Sequence, residues 1–253
     1  MNIIWTDEHS RCGSGGVSIV TVFITQMALP HTLEFGSDFL KQEVCIPVLR
    51  EGKTICVALT EPGGGSDLAN LKTTAVDAGE DYLIGGEKKF ITGGLNASWF
   101  STLVRTSGKG LQGLSLIMIP AASAGIDVKK IPTSGWWAGN TTLVTFNDVR
   151  VPKKYVIGEP GMGFAYMAQV MNGERLVACV GAIRGQRECL HGAIRFARAR
   201  KTFGKPLIKH QVQHLLRNSV LYPQFRFWSQ ELLLVPFLFS VVVSIPRKIR
   251  KSF

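Results

Sequence analysis

Between residues 54 and 153 the chain carries short apolar runs with no helical period between them, and no other feature constrains the fold as tightly. The strand candidates are Ile55 to Leu59, Thr73 to Val76, Tyr82 to Ile84, Lys89 to Thr92, Trp99 to Arg105, Leu114 to Ile119, Ile126 to Ile131 and Thr142 to Phe146. Glycine, proline or asparagine separates most of them, and Gly79-Glu80-Asp81 reads as a hairpin turn. Such spacing predicts an antiparallel barrel or sandwich. The flanks read differently. Residues 1–53 are mostly helical: Val17 to Leu29 is a buried helix or strand ended by Pro30, and Ser37 caps a helix from Asp38 to Val44 that Pro47 stops. Cys12 to Gly16 reads as a loop. From Gly161 onward Leu176, Val180, Ile183, Leu190, Ile194 and Ala197 form one apolar helical face. Gly204-Lys205-Pro206 breaks that helix, and a second begins near His210. Helices, then strands, then helices predict segregated layers, an α+β chain rather than a wound α/β sheet.

The formal charge of +11 suits an anionic small ligand, a nucleic acid or a membrane surface. No basic run in the body is interleaved with aromatics, so nucleic acid is the weaker reading. Cys12, Cys45, Cys56, Cys179 and Cys189 are odd in number and widely spaced. That argues for a reducing compartment and against a disulfide framework or zinc. His210 and His214 stand four apart with no third ligand, so no metal site is expected. No targeting segment is visible at the start. Residues 219–253 depart from the rest: Leu232 to Ile245 is an apolar run holding Pro236, followed by Arg247-Lys-Ile-Arg-Lys. It is short for a membrane span, and a tail unrelated to the fold is the favoured reading over a membrane anchor.

The chemistry-bearing stretch is Leu59-Thr-Glu-Pro-Gly-Gly-Gly-Ser-Asp67. Three glycines can take φ > 0 or bring bare backbone close to a ligand, and successive N–H groups with a following hydroxyl suit a phosphate or pyrophosphate. A plain glycine-rich hairpin turn is the alternative. No Gly-Lys-Ser/Thr follows, so it is not a Walker loop.

Ala58-Leu-Thr-Glu-Pro-Gly-Gly-Gly-Ser-Asp-Leu-Ala resembles the N-terminal signature of the acyl-CoA dehydrogenase flavoproteins, with Asn70 where that pattern usually ends on a small residue. Three further stretches resemble the same family in the same order: Lys88-Lys-Phe-Ile-Thr-Gly-Gly, Asn172-Gly-Glu-Arg-Leu-Val-Ala, and Phe196-Ala-Arg-Ala-Arg-Lys-Thr-Phe-Gly-Lys-Pro-Leu followed by His210-Gln211. The resemblance covers roughly residues 15–218. It implies a shortened helical N-terminal domain (1–53), a β-barrel middle domain (54–158), the first helices of a C-terminal helical bundle (159–218) and a divergent tail (219–253). The later C-terminal signature is missing, so a partial protein is expected.

The resemblance implies FAD as cofactor, an acyl-CoA thioester as substrate and an electron-transfer flavoprotein as acceptor. In that reaction a glutamate takes the α-proton and the β-hydrogen leaves as hydride to flavin N5. Glu174 matches the members that carry the base just before the arginine of the long helix; a first-turn helix carboxylate is the alternative. Arg175 would orient that base or line the acyl pocket. Leu59 and Thr60 match positions that meet the isoalloxazine, Phe90 would stack near the ring, and Thr92 would hydrogen-bond near N5. Ser66 matches a serine touching the flavin pyrophosphate or CoA. Arg200, Phe203 and Gln211 match residues that reach the FAD of a neighbouring subunit, which implies a homodimer or homotetramer. Relatives sit in the mitochondrial matrix in eukaryotes and the cytoplasm in bacteria. The rival readings are a flavin oxidase or monooxygenase on the same scaffold, and a truncated, inactive product.

Overall fold

The computed structural model describes residues 2–210. The helical start comprises α1 (Asn2–His9), α2 (Gly15–Val22), α3 (Leu29–Phe35), α4 (Asp38–Leu40) and α5 (Ile46–Arg50). Ser14 accepts from the Val17 amide at 3.4 Å, so the glycines at 15 and 16 open α2 rather than extend the loop. Neither proline ends a helix. A π-helical segment, Phe23–Ala28, runs directly into α3, and a second, Lys41–Cys45, into α5. Pro30 and Pro47 therefore fall in the first turn of α3 and α5. Proline lacks an N–H and crowds the carbonyl four residues back, and a π-turn displaces that carbonyl. Ser37 does cap its helix, its Oγ accepting from the Leu40 amide at 3.3 Å.

The middle region is one curled seven-stranded sheet. Its strands are β1 (Ile55–Ala58), β2 (Thr74–Ala78), β3 (Asp81–Ile91), β4 (Trp99–Arg105), β5 (Leu114–Pro120), β6 (Ile126–Lys130) and β7 (Thr142–Pro152). The main path runs β1-β4-β2-β3-β7-β6, with β5 beside β4. Most pairs are antiparallel, as expected, but β1 lies parallel to β4, so the sheet is mixed. Tyr82–Ile84 and Lys89–Thr92, two candidates in the sequence, fall on one long strand, β3, which stops at Ile91, one residue before Thr92. β7 likewise continues beyond Phe146 to Pro152. The β2–β3 hairpin turns at Gly79, whose φ is +79°.

β1, β4 and β5 are apolar on both sides because both sides are covered. Ile55, Val57, Leu103, Leu116 and Met118 join Leu40 and Val44 of the helical start in one core. Cys56, Ala58, Phe100, Ile117 and Ile119 turn the other way and meet Ile84, Val144, Phe146 and Val149 inside the curl. Each fully buried aliphatic side chain contributes about 1.5–3 kcal/mol. His31 of α3 is wholly buried, its Nε2 2.7 Å from the Ser101 hydroxyl.

The long helix is α6 (Gly163–Ala199), closed by a short hairpin of β8 (Lys201–Thr202) and β9 (Lys205–Pro206). Met167, Val170, Val177 and Ala197 are buried, whereas Leu176, expected on the apolar face, is exposed. The described residues fall into two compact units, one up to Gln186 and one from Arg187. The second helix expected near His210 and the whole apolar and basic tail lie outside the described residues.

Candidate active site

The glycine-rich stretch begins where β1 leaves the sheet. Glu61 and Gly64 exchange backbone hydrogen bonds of 2.9 and 3.2 Å, so Pro62 and Gly63 form a tight two-residue turn. None of Gly63, Gly64 and Gly65 has positive φ. A Cβ on Gly63 or Gly64 would meet only open space, so neither backbone conformation nor local packing demands glycine there. Among the described residues, the Gly63, Gly65 and Ser66 amides donate to no protein acceptor. Bare backbone with available N–H groups is the chemistry an anionic ligand requires.

Thr60 is laced to β3. Its carbonyl accepts from the Lys89 amide at 2.8 Å, and its hydroxyl donates to the Lys89 carbonyl. Beside it sits a buried ion pair that sequence reasoning did not assign. Lys88 is 0% exposed, and its Nζ donates to the Leu59 carbonyl and to Glu61 Oε1, both at 3.0 Å. Glu61 Oε1 also accepts from the Thr73 amide (2.9 Å) and hydroxyl (2.6 Å), and Oε2 from the Lys72 amide (2.8 Å). Burial pushes the Lys88 pKa down to about 8, with the Glu61 charge opposing. Burial raises the Glu61 pKa, but the Lys88 charge and these hydrogen bonds outweigh it and hold the carboxyl below its ordinary value.

Phe90 follows immediately. Tyr82, Ile84 and Lys88, at even positions of β3, are buried, and ordinary alternation would bury Phe90 as well. A register shift between Lys89 and Ile91 inserts Phe90 as an extra residue. Phe90 takes φ +63°, and Ile91 turns inward in its place. The phenyl ring consequently stands 59% exposed, with Lys89 Nζ 5.0 Å from its centroid. A bulky residue in the left-handed region costs on the order of 1–2 kcal/mol. Thr92 is half-buried beyond the bulge and, with Val20, Ile24, Thr54, Asn96 and Asn140, lines a small cavity of about 70 Å³.

The structure thus brings Leu59, Thr60 and Phe90 to one lip between β1 and β3, whereas Thr92 faces the small cavity it shares with Thr54, Ile55 and Cys56. Ser66 is exposed on the adjoining loop. Glu174 and Arg175 stand on α6, the glutamate half-buried and the arginine exposed. In the second unit Arg200 is exposed, with its guanidinium 5.7 Å from the Phe196 ring. Phe203 takes φ +49° in the β8–β9 turn and is 95% exposed. Gln211 lies outside the described residues. A signal for Lys88 was present in the sequence, since strand alternation from Tyr82 puts it on the inward face, where a lysine needs a partner.

Known proteins share this fold. Residues 56–149 match the family model for the acyl-CoA dehydrogenase middle domain, and residues 161–219 the model for its C-terminal domain. The acyl-CoA dehydrogenase AFT10-1 of Alternaria alternata is 37% identical over 213 residues, 84% of this chain and 49% of that protein. The mitochondrial short-chain specific acyl-CoA dehydrogenase of Rattus norvegicus is 35% identical over 219 residues, 85% of this chain and 53% of that protein. The crystal structure of a probable acyl-CoA dehydrogenase from Mycobacterium abscessus superposes with a TM-score of 0.88 at 34% identity, covering 94% of this chain and 64% of that one. The chain belongs to the acyl-CoA dehydrogenase family. It spans about half the length of the curated relatives it matches.

Proposed function

We propose that this chain carries the flavin-facing core of an enzyme that introduces an α,β double bond into an acyl-CoA thioester. The observation that carries the reading is the bulge at Phe90, where backbone strain is spent to turn an aromatic ring out of a core it would otherwise enter. A strained, exposed ring beside bare backbone N–H groups fits the stacking and anion-binding needs of FAD. When bound, FAD would supply a hydride acceptor.

The chain's own residues have distinct tasks in this reading. Leu59 and Thr60 border the ring, Phe90 offers its π-face, and Thr92 presents a hydroxyl to it. Ser66 and the turn amides meet a phosphate of FAD or CoA. Glu174 takes the substrate's α-proton, and Arg175 orients it or lines the acyl pocket; partial burial of Glu174 suits a base that must not be fully hydrated. Arg200, Phe203 and Gln211 engage the FAD of a second copy in a homodimer or homotetramer, a role that the outward placement of Arg200 and Phe203 supports. An electron-transfer flavoprotein is the acceptor, and the compartment is mitochondrial or cytoplasmic. The working domain reading remains 1–53, 54–158, 159–218 and 219–253.

The test is an absorbance spectrum of the soluble, purified chain after incubation with FAD and gel filtration. A retained flavin band that acyl-CoA bleaches anaerobically is the expected result. Colourless protein would show that this chain does not hold the cofactor and would overturn the reading for it.

A further inference from the structure

Folding alone does not call for charges at Lys88 and Glu61. Removing two charges from water costs several kcal/mol each, and well-packed apolar residues of the same volume commonly stabilise a fold as well or better. The geometry suggests what the charges do instead. Glu61, anchored by Lys72 and Thr73 at the entry to β2, fixes the ammonium, and the ammonium's other bond goes to the Leu59 carbonyl. That carbonyl and the Thr60 N–H are the two ends of one peptide group. A cation on the oxygen draws electron density from the nitrogen and makes the N–H a stronger donor. Among the described residues, the Thr60 amide has no protein acceptor, although Thr60 is half-buried and both its carbonyl and its hydroxyl are bonded to Lys89. A polarised donor with no acceptor among the described residues, at the lip where Phe90 emerges, is available to a ligand.

We propose that Lys88, held by Glu61, is a positioning residue that polarises the Leu59–Thr60 peptide so that the Thr60 amide donates a strengthened hydrogen bond to the bound flavin and favours its reduced form. The inference rests on the flavin reading above. A reduced ring carries more negative charge than an oxidised one, so a donor backed by a cation binds it preferentially. Lys88 touches neither substrate nor cofactor in this scheme; it acts through the backbone of Leu59 and Thr60.

The experiment uses the full chain, Lys88→Met, and the double variant Lys88→Met/Glu61→Gln. The double variant leaves no unpaired buried charge, and the carboxamide oxygen it introduces still accepts from the Thr73 amide, while the bond from the Lys72 amide is given up. FAD affinity, the flavin reduction potential and the thermal midpoint are measured on each. The expected result is flavin retained by every form, with reduced flavin bound about tenfold more weakly relative to oxidised flavin in both variants, a potential lowered by about 30 mV for the two-electron couple. A merely structural pair would move the thermal midpoint and leave the potential alone. An unchanged potential in a variant that binds flavin overturns this inference and leaves the flavin reading standing. A double variant that cannot fold makes the pair structural and also overturns it. Wild-type chain that holds no flavin overturns the flavin reading itself, and the inference with it.

Discussion

The lip between β1 and β3 and the hairpin after α6 both present an aromatic residue in the left-handed backbone region, and they support it in opposite ways. At the lip, Phe90 is braced from behind: Thr60 pins Lys89, Lys88 pins Leu59, and Glu61 gathers four donors. At the hairpin, Phe203 is braced chiefly by its own turn, by the Leu207 amide bonding the Arg200 carbonyl at 2.7 Å, and by an edge contact with His210 at 6.1 Å. The first aromatic is held by a network in which removing one partner strands a buried charge. Among the described residues, the second is held by local geometry alone. The contrast separates residues that the fold obliges from residues that only a ligand or partner would require. Substitutions in the bracing network should disturb stability, and substitutions of the two exposed rings should leave it largely intact.

The largest effect expected is at Glu174, on neither the lip nor the hairpin. Glu174→Gln keeps shape and hydrogen-bonding capacity but cannot take a proton. Anaerobic bleaching of bound flavin by acyl-CoA should slow by roughly 10³-fold, the scale of a lost general base, with the thermal midpoint unchanged. Stopped-flow absorbance decides it, and near-normal bleaching would remove Glu174 from the chemistry.

Next in size is the acid sensitivity of the buried layer. Burial drives the His31 pKa down to about 4 from 6.5, the Met27 backbone opposing. Between those values the unfolded chain binds the proton and the folded chain does not. The stability that His31 confers by staying neutral is therefore complete above pH 6.5 and is lost as pH falls toward 4, on the order of 3 kcal/mol in all. Lys88 has the same sign in a different window: its folded pKa of about 8 lies below its unfolded value, so stability should rise as pH climbs from 8 toward 10.5. Chemical denaturation at stepped pH measures both. His31→Gln, which can still bond Ser101, should flatten the acid limb, and an unaltered limb would mean that another group controls it.

These pH-sensitive positions mark where the sequence was readable and where it was not. The strands were legible because β1, β4 and β5 are apolar on both faces and glycine or asparagine punctuates them. The residues of the lip were singled out through their resemblance to a family. The prolines misled, because Pro30 and Pro47 stop an α-helix only if the preceding turn is α, and both preceding turns are π. Nothing local in Phe23–Ala28 announces that. Lys88 was missed because lysine is ordinarily exposed, so its in-phase position on β3 carried no weight. Phe90 was assigned to the flavin, but the bulge that turns it outward is a mismatch in strand count between β3 and β7, which single-strand periodicity does not encode.

A smaller effect sharpens the comparison at the lip. Phe90→Gly removes a bulky side chain from φ +63°. Relief of that strain, less the entropy glycine loses on folding, should leave stability unchanged or raise it by up to about 1 kcal/mol. Flavin affinity should fall up to about tenfold with the lost ring contact. Gain of stability with loss of affinity is the signature of strain kept for a ligand. Loss of both would mean that the ring braces the bulge.

The smallest stability change is expected at Phe203, and it bears most directly on the second half of the comparison. The ring is 95% exposed and its edge contact with His210 lies in water, so Phe203→Ala should shift the unfolding free energy by less than about 0.5 kcal/mol. Alanine also tolerates φ +49° no worse than phenylalanine does, so the turn should survive. Flavin retention through gel filtration should nonetheless decline if the ring reaches the cofactor of a second copy, and only at concentrations where copies associate. Measured across a dilution series, wild type and variant should converge at the dilute end, where neither has a neighbour to contact. A variant that loses flavin equally at every concentration would place Phe203 against its own chain's cofactor, and one that loses none would leave its exposure without a ligand to explain it.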